Sequence, residues 1–203
     1  MDRKELEALQ LERLKALVDY CDRNVKFYHD RFEKHGITAD KIKCLSDIQY
    51  IPYTTKEDLR DNYPFGLFSV PRKELVRLHA SSGTTGNPTV VGYTRGDLEN
   101  WSEQVARLVY AAGANEDSIV QICFGYGMFT GALGLHYGLE RIGATVVPTS
   151  SGNTEKQLKF MRDFGTDAIV ATPSYCMYLA EAARNMADKY PMSQYKLKYG
   201  ILG

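Results

Sequence analysis

The first part of the chain has hydrophobic positions at helical spacing. Between Asp2 and about Glu33, leucine, valine and cysteine side chains recur every three or four residues, with charged residues between them. This period predicts an amphipathic helical segment that ends at Gly36. Two roles stay open for the segment: binding a partner, or covering the apolar core of its own domain, which is the commoner use of such helices.

Residues 37 to 74 show little periodicity, and three prolines interrupt them. A short helix is predicted within this stretch, with Thr54 or Thr55 as its N-cap and acidic residues in its first turn. We therefore divide the chain into an N-terminal helical and irregular segment, residues 1–74, and an α/β region, residues 75–203.

Short apolar runs alternate with helical stretches in the second region. The predicted strands are Leu75–Ala80, Thr89–Tyr93, Ile119–Phe124, Ala144–Val147, Ala168–Ala171 and Leu197–Leu202. The predicted helices follow Thr94 as far as Gly113, then span Thr130–Ile142, Thr154–Phe164 and Ser174–Ala187. The first two of the predicted strands flank a loop. The four runs beyond Gly113 lack alternation, which is typical of strands buried on both faces. The pattern predicts an α/β fold in which helices flank a parallel sheet.

The chain ends at Gly203, directly after the last predicted strand. Finished domains usually end in exposed polar segments, whereas the carboxyl ends of strands in such sheets bind ligands. We therefore expect the α/β region to be truncated at Gly203. The alternative is a complete small domain whose last strand is an edge.

Composition narrows the class of partner. Lysine and arginine number 25, and so do aspartate and glutamate, so no basic excess exists for a nucleic acid. No run approaches the roughly 18 apolar residues that span a bilayer, and the charged N-terminus lacks a signal peptide's apolar segment. The four cysteines have no metal-ligand or disulfide-framework spacing and are expected to be reduced thiols. We expect a cytoplasmic protein without membrane or nucleic-acid partners.

The loop from Ser81 to Pro88 is the densest chemical signal. Two glycines allow a tight turn with exposed backbone N–H groups, and four hydroxyls surround them, which together suit phosphate oxygens. The glycine spacing fits neither a Walker A loop nor a dinucleotide-binding fingerprint. Residues of these types also favour plain hairpin turns, so that interpretation stays open.

A second signal runs from Phe124 to Gly134, after a predicted buried strand and into a helix. Its glycines permit close backbone approach, and Tyr126 and Phe129 offer flat apolar walls. The alternative is an aromatic turn followed by a small-residue helix that packs close to the sheet. The segment from Thr172 to Tyr175 forms the same kind of strand-to-helix junction.

These segments together resemble the phenylacetate–coenzyme A ligases of the adenylate-forming superfamily. The run from Ser82 to Pro88 matches the superfamily's phosphate loop, which ends in Thr-Gly-x-Pro. Three further runs are similar to the phenylacetate branch: Phe124–Gly131, Gly152–Gln157 and Ala171–Tyr175. The resemblance implies that the fold is part of the large N-terminal domain of such an enzyme.

The resemblance also implies a reaction and a set of site residues. The family uses ATP with Mg²⁺ to adenylate an aryl acid and then transfers the acyl group to coenzyme A; its members often pair as homodimers. The implied phosphate-binding residues are Ser81, Ser82, Gly83, Thr84, Thr85 and Gly86. The implied substrate-pocket residues are Tyr126, Gly127, Phe129, Pro173, Ser174 and Tyr175.

Two departures from the family pattern limit these expectations. Family members commonly carry a lysine in or just after the phosphate loop, where this chain has Asn87 and Thr89. The family's catalytic and metal-binding residues would lie beyond Gly203, so we expect none within this chain and no complete reaction from it alone. A non-catalytic nucleotide- or anion-binding module and a purely structural role are the alternatives, and the identity of the aryl acid stays open.

Overall fold

A computed structural model describes residues 1–82 and 86–203. The chain forms two compact units, residues 1–94 and residues 95–203. The sequence-based division after residue 74 stays a prediction about domains. No helix in the part of the chain that the structure describes has the length and apolar character needed to cross a membrane.

The first unit begins with two helices where the sequence predicted one continuous segment. Helix α1 spans Arg3–Asn24 and helix α2 spans Lys26–His35. The break falls at Val25, whose backbone is extended and whose side chain is 3% exposed. The buried β-branched side chain is accommodated in that extended conformation. The predicted end at Gly36 is confirmed, because this glycine adopts the left-handed conformation that commonly ends helices.

The helices cover a core within their own unit. Val18 of α1, Phe32 of α2 and Ile42 pack together and are nearly inaccessible to solvent. Helix α3 spans Lys56–Asp61 and is capped by Thr55, one of the two caps that the sequence predicted. Strand β1 (Leu75–Ala80) and strand β2 (Val90–Thr94) complete the unit as an antiparallel pair.

An ion pair ties α2 to the start of α3 and gives this unit an expected acid sensitivity. Arg31 donates to both carboxylate oxygens of Asp58 at 2.7 and 3.1 Å. This contact, aided by the backbone N–H of Thr55, lowers the pKa of Asp58 from its ordinary 3.8 to about 2. A lowered folded-state pKa stabilises the fold above the unfolded value, and the contribution is lost as pH falls through about 2.

Urea unfolding measured between pH 5 and pH 2 tests this ion pair. We expect the free energy of unfolding to fall below about pH 4 in the wild type and to fall less steeply in Arg31→Met. Arg13→Met removes an exposed arginine of α1 and serves as the control. Identical pH profiles for wild type and Arg31→Met would contradict the assignment.

The second unit contains the part of the predicted α/β region that follows residue 94, and its sheet is parallel throughout. The helices are α4 (Arg95–Ala111), α5 (Gly131–Arg141), α6 (Thr154–Asp163) and α7 (Pro173–Asn185). The strands are β3 (Ile119–Ile122), β4 (Thr145–Val147), β5 (Ala168–Ala171) and β6 (Tyr199–Leu202). Their order in the sheet is β4-β3-β5-β6. The expected fold of helices flanking a parallel sheet is confirmed.

Helices cover both faces of this sheet, which explains the continuous apolar runs in the sequence. Val120 and Ile122 of β3 pack with Leu139 of α5 on one face. On the other face, Cys123 and Ile169 pack with the side chains of α6 and α7. Because successive residues of a strand point to opposite faces, both sets of positions are buried and mostly apolar; Gln121 of β3 is a polar exception.

Helices α4 and α5 approach closely through glycines. A Cβ atom added at Gly134 would lie 2.5 Å from the Trp101 ring, and one at Gly138 would lie 2.5 Å from Val105 Cγ1. Both distances are shorter than non-bonded carbon atoms tolerate. The small residues of α5 therefore serve helix–helix packing, as the alternative interpretation of this segment supposed, although their partner is α4.

Candidate functional site

The order of connections creates a crevice at the carboxyl edge of the sheet. Strand β3 leads through α5 to β4 on one side, and β4 leads through α6 to β5 on the other side of β3. The direction of winding therefore reverses between β3 and β5. In open α/β sheets, ligands bind outside the carboxyl ends of strands at such a switch point.

A cavity of about 450 Å³ opens at this point. It is lined by residues from three strand exits and the start of α7: Cys123, Phe124, Gly125, Ser151, Thr172, Ser174, Tyr175 and Tyr178. The volume lies within the range of small-molecule sites in proteins, roughly 300–1,000 Å³. Aromatic rings and hydroxyl groups share the wall, so the crevice suits a small ligand with one flat apolar part and one polar end.

Helix α7 brings its N-terminus to the crevice. Thr172 caps the helix, and its hydroxyl accepts a hydrogen bond from the N–H of Tyr175 at 3.3 Å. Pro173 takes the first helical position, where its missing N–H does no harm. The positive end of the helix dipole and the hydroxyl of Ser174 therefore face a ligand in the crevice, which favours a negatively charged group there.

The loop after β4 forms another part of the wall. Ser150, Gly152 and Asn153 all have positive φ, at 61°, 84° and 47°. Asn153 caps α6 by accepting a hydrogen bond from the N–H of Lys156 at 3.3 Å. This unusual backbone path presents Ser151 to the crevice, beside Gly125.

Cys123 lies at the inner end of the crevice and is 3% exposed. Burial raises the pKa of its thiol to about 11, against the weaker opposing effect of a contact with Thr149. The thiol is therefore protonated at neutral pH and is a poor nucleophile. The thiol also donates to Gln157 Oε1 at 3.4 Å.

The predicted substrate-pocket residues separate into two groups. Ser174 and Tyr175 line the crevice, and Pro173 begins the helix that carries them. Tyr126 is half-buried against the core on the α4–α5 face, and its hydroxyl lies 3.1 Å from His136 Nδ1. Phe129 is 67% exposed, and a Cβ added at Gly127 would have no atom within 4 Å. The pocket roles of all six residues stay predictions.

Sequence reasoning missed several crevice residues as site candidates. Tyr178 lies one helical turn beyond Ser174 and Tyr175, so the period of α7 carried a signal for it. Cys123 was assigned only to the strand. Phe124 and Gly125, by contrast, belong to the second signal identified in the sequence, whose glycines were expected to permit close backbone approach. Ser151 carried no local signal, because its position depends on the left-handed backbone on either side of it.

The predicted phosphate loop belongs to the first unit. Gly83, Thr84 and Thr85 lie outside the described residues. Ser81 closes the hairpin: its backbone N–H donates to the carbonyl of Thr89, and its hydroxyl accepts from the N–H of that residue, both at 3.0 Å.

Ser82 and Gly86, the other two loop residues that the structure describes, are open to solvent. Ser82 is exposed, and Gly86 has a φ of 128°. A side chain would strain the backbone at Gly86, which supports the expected tight turn. Phosphate binding by this loop stays a prediction.

A second cavity, of about 480 Å³, lies beside β6 on the α6–α7 face. Carbon-rich side chains such as Leu158, Leu179 and Leu202 make most of its wall. The ammonium of Lys198, at its border, is paired with Asp167 at 2.8 Å. Since small-molecule sites need a few convergent polar groups for orientation, the crevice is the better candidate.

The chain is similar to curated phenylacetate–coenzyme A ligases over nearly its whole length. It is 53% identical to the enzyme of that name from Escherichia coli K12 over 199 residues, which are 98% of this chain and 45% of that protein. It is 49% identical to the Pseudomonas putida enzyme over 207 residues, 100% of this chain and 46% of that protein. The chain thus spans under half the length of these relatives. It matches none of the protein-family models compared with it.

The fold of the chain is also found in a solved structure of a CoA ligase. A crystal structure of 2-hydroxyisobutyryl-CoA ligase, in complex with 2-HIB-AMP and CoA, superposes with a TM-score of 0.92 at 28% identity. The match covers 100% of this chain and 44% of that one. The resemblance and the fold expected from the sequence, that of the N-terminal domain of adenylate-forming CoA ligases, are confirmed.

Proposed function

We propose that the protein carrying this chain, a relative of the phenylacetate–coenzyme A ligases, is an ATP-dependent ligase for an aryl acid. The observation that carries the proposal is the crevice at the switch point of the parallel sheet. The sequence supports it, because the chain is 53% identical to such a ligase over 199 residues. The substrates are the aryl acid, ATP and coenzyme A.

The crevice has the two kinds of surface that an arylacetic acid requires. Tyr175 and Tyr178 supply aromatic surface for the ring, and the start of α7 supplies dipole and hydroxyl groups for the carboxylate. Holding the carboxylate at the helix N-terminus fixes the orientation of the acid. Orientation of this kind is a large part of what an enzyme contributes when it joins two substrates.

The reaction has two steps. A carboxylate oxygen attacks the α-phosphorus of ATP, the bond to the bridging oxygen breaks, and pyrophosphate leaves with the electron pair. The sulfur of coenzyme A then attacks the acyl carbon, the thiol proton is released, and AMP leaves. In the first step the loop from Ser81 to Gly86 holds the β- and γ-phosphates, which then leave as pyrophosphate. In both steps the crevice holds and orients the acyl part of the substrate.

Magnesium is implied by the resemblance alone. The described residues contain no cluster of three or more histidine, cysteine, aspartate or glutamate side chains placed to hold a metal ion. Proteins often bind Mg²⁺ through one or two carboxylates and the phosphates of a substrate, so a role for Mg²⁺ with ATP stays part of the proposal. Because the positions of the family's usual lysine hold Asn87 and Thr89, the charge of the leaving pyrophosphate has to be balanced by backbone N–H groups, hydroxyls or residues of the longer protein.

The remaining proposals concern the cellular compartment and the binding partners of the protein. All four cysteines are free, which suits a reducing cytoplasm. Equal numbers of acidic and basic residues leave no charge excess for a nucleic acid. The expected partners are small molecules and, as the resemblance implies, a second copy of the protein.

Acid-dependent exchange between ATP and labelled pyrophosphate tests the function. The assay uses the full-length protein with a panel of arylacetic acids and straight-chain fatty acids. We expect exchange with an arylacetic acid alone. Thr84→Ala/Thr85→Ala should lower the rate by about tenfold or more, since each hydroxyl is a donor to a charged group.

Thr54→Ala/Thr55→Ala is the matched control for that double variant, because these threonines lie at the start of α3. Its exchange rate should equal that of the wild type. A well-folded protein that shows no exchange with any acid would refute the ligase proposal. Such a protein that still binds ATP would instead be a non-catalytic nucleotide-binding module.

A further inference from the structure

Two glutamine side chains are buried beneath the crevice. Gln121 of β3 is 0% exposed and Gln157 of α6 is 2% exposed. The side-chain amide nitrogen of Gln121 donates to Gln157 Oε1 at 2.7 Å and to the backbone carbonyl oxygen of Gln157 at 3.2 Å. Thr166, also fully buried, donates to Gln121 Oε1 at 3.4 Å. These contacts hold the side-chain amide of Gln157 in one orientation.

The other end of the Gln157 amide holds the loop after β4. Its nitrogen donates to the carbonyl of Ser150 at 2.7 Å and to the carbonyl of Gly152 at 3.3 Å. Each of its two N–H bonds therefore has a backbone acceptor, and these acceptors lie on either side of Ser151. Since every polar atom of this amide is paired, the contact is strongly directional.

The loop needs such support because its backbone is unfavourable on its own. Ser150 and Asn153 carry side chains at φ values of 61° and 47°, where residues other than glycine persist only when their surroundings hold them. The N–H of Ser150 also donates to the carbonyl of Ile122 at 3.1 Å, which ties the loop to the end of β3. The Gln157 amide adds two further contacts, to the carbonyls of Ser150 and Gly152.

The supported loop is a wall of the crevice. Ser151 lines the cavity, and the carbonyl of Gly152 accepts a hydrogen bond from the hydroxyl of Tyr175 at 3.5 Å. A shift of the loop therefore moves Ser151 and releases Tyr175 together.

We propose that Gln157 is a positioning residue for the acid substrate: it holds Ser151 and Tyr175 in the places from which they contact the aryl acid. The inference rests on the proposed ligase function. The expected consequence is selective, because a displaced crevice wall weakens binding of the acid while ATP, held by other residues, binds as before.

Gln157→Glu in the full-length protein tests the inference. The substitution keeps the shape and the acceptor for Gln121 but replaces both N–H donors with a carboxylate that repels the loop carbonyls. We expect the KM for the acid in pyrophosphate exchange to rise by about tenfold or more, in line with the loss of two hydrogen bonds. The KM for ATP should stay within about twofold of the wild type.

Gln104→Glu, the same change at an exposed position of α4, is the control and should leave both KM values unchanged. Ser151→Ala is the second test, because an exposed serine can be truncated without loss of folding. It should raise the KM for the acid and leave the melting temperature unchanged. The double variant Gln121→Met/Gln157→Met, which fills the same space without hydrogen bonds, should fold and show the raised KM of Gln157→Glu.

The outcomes separate the two proposals. No exchange in the wild type refutes the ligase function and the inference with it. Wild-type exchange with an unchanged acid KM in both Gln157→Glu and Ser151→Ala overturns the inference alone. A fall in kcat that follows the melting temperature, with the acid KM unchanged, assigns Gln157 a structural role and also overturns it.

Discussion

Replacing Leu139 with alanine is expected to lower the free energy of unfolding by about 3 kcal/mol. Leu139 is fully buried at the centre of the core between α5 and the sheet. It packs there with Val109, Ile122 and Val170, which belong to three other elements. The substitution leaves a cavity that these rigidly placed neighbours cannot fill, so the cost exceeds the loss of apolar burial alone.

Urea denaturation followed by circular dichroism measures this effect, with the slope against urea concentration checked for constancy. Leu108→Ala is the matched control, since Leu108 lies on α4 and is 56% exposed. Its effect should be within about 0.5 kcal/mol of zero. Equal losses from the two leucines would show that the core does not have the packing described.

Gly138→Leu is expected to destabilise the second unit by about 3 kcal/mol. A Cβ at this position would lie 2.5 Å from Cγ1 of Val105 and 2.9 Å from its backbone carbonyl carbon. The backbone of α4 therefore has to move away from α5, which opens the packing along both helices. Leucine favours a helix over glycine by only about 1 kcal/mol, too little to offset that separation.

Thermal unfolding of Gly138→Leu beside Gly127→Leu tests this close approach. Gly127 has no atom within 4 Å of an added Cβ, so its variant should unfold close to the wild-type temperature. A wild-type melting temperature for Gly138→Leu would contradict the close helix contact. Restoration of stability by a second change, Val105→Ala, would locate the strain in this helix pair.

Much of the second unit was predictable because each of its elements has a clear local pattern. The run Ala168–Ala171 is a strand with the predicted bounds, and α5 and α6 differ from prediction by about one residue at their ends. Buried strands and amphipathic helices differ in period, and glycines mark several of the helix ends. The break at Val25 was not predictable, because the apolar period continues through it and only packing within the first unit separates α1 from α2.

The candidate site was predictable in part. The junction from Thr172 to Tyr175 was identified from its position after a strand, and the structure places Ser174 and Tyr175 at the crevice. The direction of the Tyr126 side chain was not predictable, since its hydroxyl contacts His136, ten residues away on α5. A strand exit marks where a ligand site lies, but the local sequence does not state toward which face of the sheet each side chain turns.

The sequence by itself determined the fold class, the resemblance to aryl-acid ligases and the strand exits that form the site, because these depend on local periods and contiguous motifs. Only the tertiary structure decided which side chains meet. Gln157 and Gln121 lie far apart in the sequence, and Ser151 reaches the crevice only because their amides support a left-handed loop. Contacts of this kind depend on strand order and helix packing, which no local pattern encodes.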